Sequence, residues 1–135
     1  MATQGKTDKG PDRNTGPKVV MEAYDFAKSL HEVVLRFPRV ERPGLGADIE
    51  RACREVLLRL VEAQTTPGAG KAGPLRAAAL EIEKLRFLVR MACDFHLLSI
   101  GRYEAASATA DRIGRMVGGW LRWVDRGSTQ GREDS

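Results

Sequence analysis

Four stretches of this chain place apolar residues at alternating three- and four-residue steps, the spacing of an amphipathic helix. Val19, Ala23, Phe26, Leu30, Val33 and Phe37 keep it through KVVMEAYDFAKSLHEVVLRF, which Pro38 ends by disfavouring helical geometry in the residue before it. Ile49, Ala52, Cys53, Val56, Leu57, Leu60 and Val61 keep it through ADIERACREVLLRLVEAQ. Between these helices lies the breaker-rich loop PRVERPGLG, and a second loop, TTPGAGKAGP, follows. A third helix is expected from Pro74 or Leu75 to Ser99 or Ile100, and a fourth from Arg102 to about Asp125. No segment shows sustained two-residue alternation with β-branched enrichment. The fold class is therefore all-α, an antiparallel up-and-down four-helix bundle over residues 18–125. Residues 1–17 and 126–135 are polar and carry too little apolar surface to fold, so both are expected to be disordered tails.

The last two helices carry more than one bundle needs. Ile82, Leu85, Leu88, Val89, Ala92 and Phe95 form one apolar face of the third, and Leu80, Phe87, Met91 and Leu98 occupy much of the opposite side. A helix apolar nearly all round is buried on two sides, and the second side then meets another subunit. In the fourth helix Ala106, Ala110, Gly114 and Gly118 recur every four residues, with Gly119 and Trp120 following. Each interior glycine costs about 1 kcal/mol relative to alanine, a loss that close approach of another helix can offset. Both patterns point to a homo-oligomer.

Several chemistries find no support. His31 and His96 are the only histidines, neither in a Glu-x-x-His pair, and no zinc spacing occurs, so no metal and no cofactor is expected. GAGKAG at 68–73 lacks the first glycine, the Ser or Thr after the lysine and the preceding strand of a phosphate loop, and reads as a flexible turn. No nucleophile has an evident base, so the chain is read as a non-enzyme. No window reaches the ~18 apolar residues of a membrane span, and the N-terminus has no secretory h-region. Cys53 and Cys93 lie in helical apolar patterns, as free thiols of a cytoplasmic protein do.

The net charge is +4, and arginine dominates the basic residues of the folded part. Arginine presents a planar fork suited to phosphate or carboxylate. Most are interspersed with acids and read as solvated. Arg36, Arg39 and Arg42 instead cluster around the first loop, and Arg86 and Arg90 stand four apart on the third helix, where they repel each other. Such repulsion in an apolar setting favours a nearby anion, from another subunit, a protein or RNA.

FPRVERPGLGADI, LEIEKLRFLVRMACD and RYEAASATADRIGRMVGGW resemble the accessory variability determinant (Avd) proteins of diversity-generating retroelements. They also resemble the wider four-helix-bundle family encoded in intervening sequences of bacterial 23S ribosomal RNA genes. The resemblance covers about residues 20–124, through Leu-Arg-Phe-Leu-x-Arg in the third helix and Ile-Gly-x-x-x-Gly-Gly-Trp in the fourth. It implies a homopentameric barrel with a basic surface that binds the element's reverse transcriptase and template RNA. The polymerase then performs mutagenic cDNA synthesis and retrohoming follows. It also implies a binding role for Arg86 and Arg90, which match the family's paired helix-three arginines, and for Arg39 after Phe-Pro. The Gly-rich 65–74 loop and the polar tails depart from the pattern. A self-assembling bundle of the intervening-sequence type, without nucleic-acid function, remains the alternative.

Overall fold

The computed structural model describes residues 14–134, with side chains as far as Gly127. Four long helices follow in order: α1 Thr15–Leu35, α2 Ala47–Thr65, α3 Ala72–Asp94 and α4 Ile100–Asp134. Each packs on the next, and α4 closes the bundle against α1. No strand occurs among the described residues.

The seams read from the sequence meet in one core. Val19, Phe26 and Leu30 of α1 face Ile49, Val56 and Leu60 of α2, Ile82 and Leu85 of α3, and Ile113 and Val117 of α4. Burying each such side chain contributes about 1.5–3 kcal/mol. No polar or charged residue is buried among the described residues, so the interior needs no internal ion pair. In α1 Val34 takes the innermost position expected for Val33, and in α2 Val61 is left exposed.

Both expected loops are short helical turns. Arg39–Glu41 is a 3-10 turn and Arg42–Gly46 a π turn leading directly into α2. Gly46 is buried there, where a Cβ would stand 2.8 Å from Cγ1 of the β-branched, buried Val34, so the close approach leaves no room for a side chain. Gly68–Lys71 is a 3-10 turn, entered through Gly68 at φ 59°, and α3 begins at Ala72.

The main departure lies at the end of α3, which stops at Asp94 instead of Ser99 or Ile100. The Leu97 amide donates to the Ala92 carbonyl at 2.9 Å and the His96 amide to that of Cys93 at 3.0 Å. With His96 at φ 62°, this is a Schellman motif, in which a left-handed residue closes the helix. Glycine usually fills that position, and its absence removes the sequence signal for a stop. The reversal exchanges two side chains: Phe95, expected in the core, is exposed, and Leu98, expected on the outer side, is buried.

The ends of the chain differ from expectation as well. Residues 1–13 of the N-terminal tail, and Ser135, lie outside the described residues, whereas the rest of that tail forms the start of α1. Gly16 is buried there, its Cβ position 3.2 Å from the Trp120 ring. The backbone of α4 continues to Asp134, beyond the expected boundary at 125, because adding residues to a formed helix avoids the cost of nucleation.

His96→Gly is expected to raise unfolding stability by about 0.5–1 kcal/mol, since glycine adopts left-handed geometry without the Cβ penalty. Urea denaturation monitored by circular dichroism measures it, and a loss of stability would contradict the assignment of strain at this turn.

Candidate nucleic-acid and partner interface

The five arginines singled out by the sequence have different surroundings. Arg42 turns back on α1: its Nε donates to the Phe37 carbonyl at 3.1 Å and a terminal nitrogen to the Leu35 carbonyl at 2.7 Å. These carbonyls lie at or just beyond the helix C-terminus, where partial negative charge accumulates. Lys71 does the same for α2, donating to the Ala63 carbonyl at 3.0 Å while its ammonium stands 5.9 Å from the Trp120 ring centroid. The first two interhelix turns thus each close the preceding helix with a cation. The lysine of GAGKAG has a structural task.

Arg36 and Arg39 are exposed and form no ion pair among the described residues. Antiparallel packing brings the C-terminus of α1 beside the N-terminus of α4, which adds Arg102. Arg36 and Arg102 line one end of a groove of about 510 Å³ between α1 and α4, floored by Phe26, Leu30 and Leu98. The first turn of α4 contains no acid, so its helix dipole reinforces the positive potential at this end. Glu32 lines the same groove and offsets part of it. At the far end Arg112 spans to Glu22, its Nε and a terminal nitrogen both donating to Oε1, at 3.0 and 2.9 Å. Arg102 was not singled out in the sequence because it lies 66 residues from Arg36. The signal was the up-and-down topology, which juxtaposes those two helix ends.

On α3 the paired arginines separate in role. Arg86 bridges to Asp111 of α4, and its Nε lies 3.7 Å from Glu83. Arg90 is more exposed, and its only ion pair among the described residues is with Asp94 at 4.0 Å. Their mutual repulsion is thereby answered within the protomer. Beside them Leu80, Phe87 and Met91 are exposed, with 74% of Phe87 accessible.

The small-residue pattern on α4 also divides. Ala106, Ala110 and Trp120 are buried in the protomer's own core. Gly114, Gly118 and Gly119 are half-buried. A Cβ on Gly114 would meet Ile82 at an ordinary 3.8 Å, and on Gly118 or Gly119 only the flexible Arg122 guanidinium, at 3.4 and 3.9 Å. Nothing within the protomer requires glycine at these positions.

Burial pushes the Cys53 thiol from 9.0 up to about 12, with Arg54 opposing the shift and Glu50 adding to it. It is a protonated core group at neutral pH, unsuited to nucleophilic chemistry. Among the described residues no group of three or more His, Cys, Asp and Glu side chains could hold a metal ion, and no helix is long and apolar enough to cross a membrane.

A family model described as bAvd-like matches residues 19–124. No curated protein matches the chain.

Arg42→Ala is expected to lower stability by about 1–2 kcal/mol through loss of two charge-assisted hydrogen bonds. Arg36→Ala and Arg39→Ala should leave stability within about 0.5 kcal/mol, as substitutions of exposed residues usually do. Thermal melts of the three variants separate the capping arginine from the free ones.

Proposed function

The chain belongs to the bAvd-like family, and from that premise we propose that it is a non-catalytic accessory protein of a diversity-generating retroelement. It binds the reverse transcriptase and the template RNA, and the polymerase makes the bonds of the cDNA. The observation that carries the RNA side of this reading is the bundle end where Arg36, Arg39 and Arg102 stand without ion pairs among the described residues. Three guanidinium forks beside the positive end of a helix suit a phosphodiester backbone. Arg90, only loosely tied to Asp94, can join them; Arg86 serves better as a brace between α3 and α4.

The proposed assembly is a homopentameric barrel. The exposed Leu80, Phe87 and Met91 of α3 and the open glycine stripe of α4 are the surfaces that would be covered by neighbouring protomers. The internal pairing of Arg86 and the capping task of Arg42 favour the rival reading, a self-assembling bundle without nucleic-acid function.

RNA binding measured by fluorescence anisotropy across a potassium chloride series separates the two. The log affinity should fall linearly with log salt, and the slope should become shallower by about 0.7–0.9 for each phosphate contact removed by Arg36→Ala, Arg39→Ala or Arg102→Ala. Arg59→Ala, whose guanidinium is held by Glu55 at 3.5 Å and Glu62 at 3.1 Å, should leave the slope unchanged. Absence of RNA binding at low salt would exclude the accessory reading in favour of its rival.

The glycine stripe supplies a second test. Gly114→Ala with Gly118→Ala should stabilise an isolated protomer by up to about 1 kcal/mol per site through helix propensity. The same substitutions should reduce the assembly mass seen by light scattering. Added stability with an unchanged mass would place the oligomer interface elsewhere.

A further inference from the structure

Besides its core seam, α1 carries a second one. Met21, Tyr24, Lys28, His31 and Leu35 follow at three- and four-residue steps, and all five are exposed. On α2, Arg54, Leu57, Leu58 and Val61 form a matching stripe. The contact between His31 and Glu50 shows that these two sides face each other across the α1–α2 junction. The helices run antiparallel with equal rise, so residues equally far from that contact are level. Tyr24 is then level with Leu57, while Arg54 and Val61 each lie one residue beyond the level of Lys28 and Met21. The result is a shallow apolar channel: Met21 and Leu58 are 54% and 56% exposed, Tyr24 and Val61 44% and 39%.

The charge around this channel has one sign. Lys28 lies 5.0 Å from the Tyr24 ring centroid, and neither it nor Arg54 forms an ion pair among the described residues. Neighbouring acids are otherwise engaged or turned away. Glu50 meets His31, Glu55 and Glu62 hold Arg59, and Asp25 and Glu32 line the groove on the α4 side. Exposed apolar side chains between two antiparallel helices are what a third amphipathic helix covers. A rim of unpaired cations selects acidic flanks on that helix.

We infer that the α1–α2 face is a docking site for an amphipathic helix of a partner protein, whose apolar seam seats on Tyr24, Leu58 and Val61 while its Asp or Glu side chains pair with Lys28 and Arg54. The site is separate from the arginine end and from the α3–α4 surface, and does not depend on the RNA-binding reading.

The test uses the full chain and two fluorescein-labelled helical peptides of about five turns with the same Leu and Phe seam, one flanked by Glu and the other by Lys. The Glu peptide should bind at least about tenfold more tightly. Lys28→Glu with Arg54→Glu should invert that preference, and the milder pair Lys28→Gln with Arg54→Gln should abolish it. Leu58→Ser with Val61→Ser should weaken the Glu peptide by about tenfold or more, with helicity preserved, because both positions are exposed. Equal binding of the two peptides, or no binding of either, overturns the inference. So does displacement of the Glu peptide by an RNA hairpin that no longer binds the Lys28→Glu, Arg54→Glu variant, which would make the face a nucleic-acid site. A drop in assembly mass for Leu58→Ser with Val61→Ser would make it a contact between copies, and likewise overturns it.

Discussion

Four apolar seams meeting in one core without a buried polar side chain are the constraint from which the rest of this protein follows. Because the interior contains only apolar groups, every charge sits at a helix end or on the outer surface. There it either neutralises its own protomer or remains available to something else. Cys53 shows how dry the interior is, since burial is the largest cause of the rise of its thiol to about 12.

Helix ends consume part of the positive charge. At the C-termini of α1 and α2, Arg42 and Lys71 reach back and donate to the last carbonyls. The end of α3 is closed by backbone hydrogen bonds alone, with a histidine in left-handed geometry. Among the cations without an ion pair in the described residues, Arg36, Arg39 and Arg102 lie where α1 ends and α4 begins. Arginine content by itself therefore overstates the positive surface left for a partner, and position in the bundle decides which arginines remain.

The outer faces are specialised in the same way. The α2–α3 side is laced with short-range pairs such as Arg59 with Glu55 and Glu62, and Lys84 with Glu81, the usual character of a solvated helix surface. The α3–α4 side combines exposed apolar side chains with open glycines, and the α1–α2 side combines exposed apolar side chains with unpaired cations. One bundle thus offers three chemically distinct surfaces: an arginine-rich end, an apolar face with open glycines and a cationic channel.

The sequence by itself determined that the chain is four helices, which sides of them are buried, and which family it belongs to, because helical periodicity and local motifs are properties of neighbouring residues. It could not show where α3 stops, because the Schellman turn uses His96 where glycine would have announced it, and so Phe95 and Leu98 were placed on the wrong sides. Nor could it distinguish Arg42 from Arg36, or Arg86 from Arg90, within clusters of identical residues. Only the tertiary structure decided those, by bringing the Phe37 carbonyl to one guanidinium and Asp111 to another. A side chain's partner is set by three-dimensional distance, and residues far apart along the chain, such as Arg36 and Arg102, become neighbours only when the helices pack.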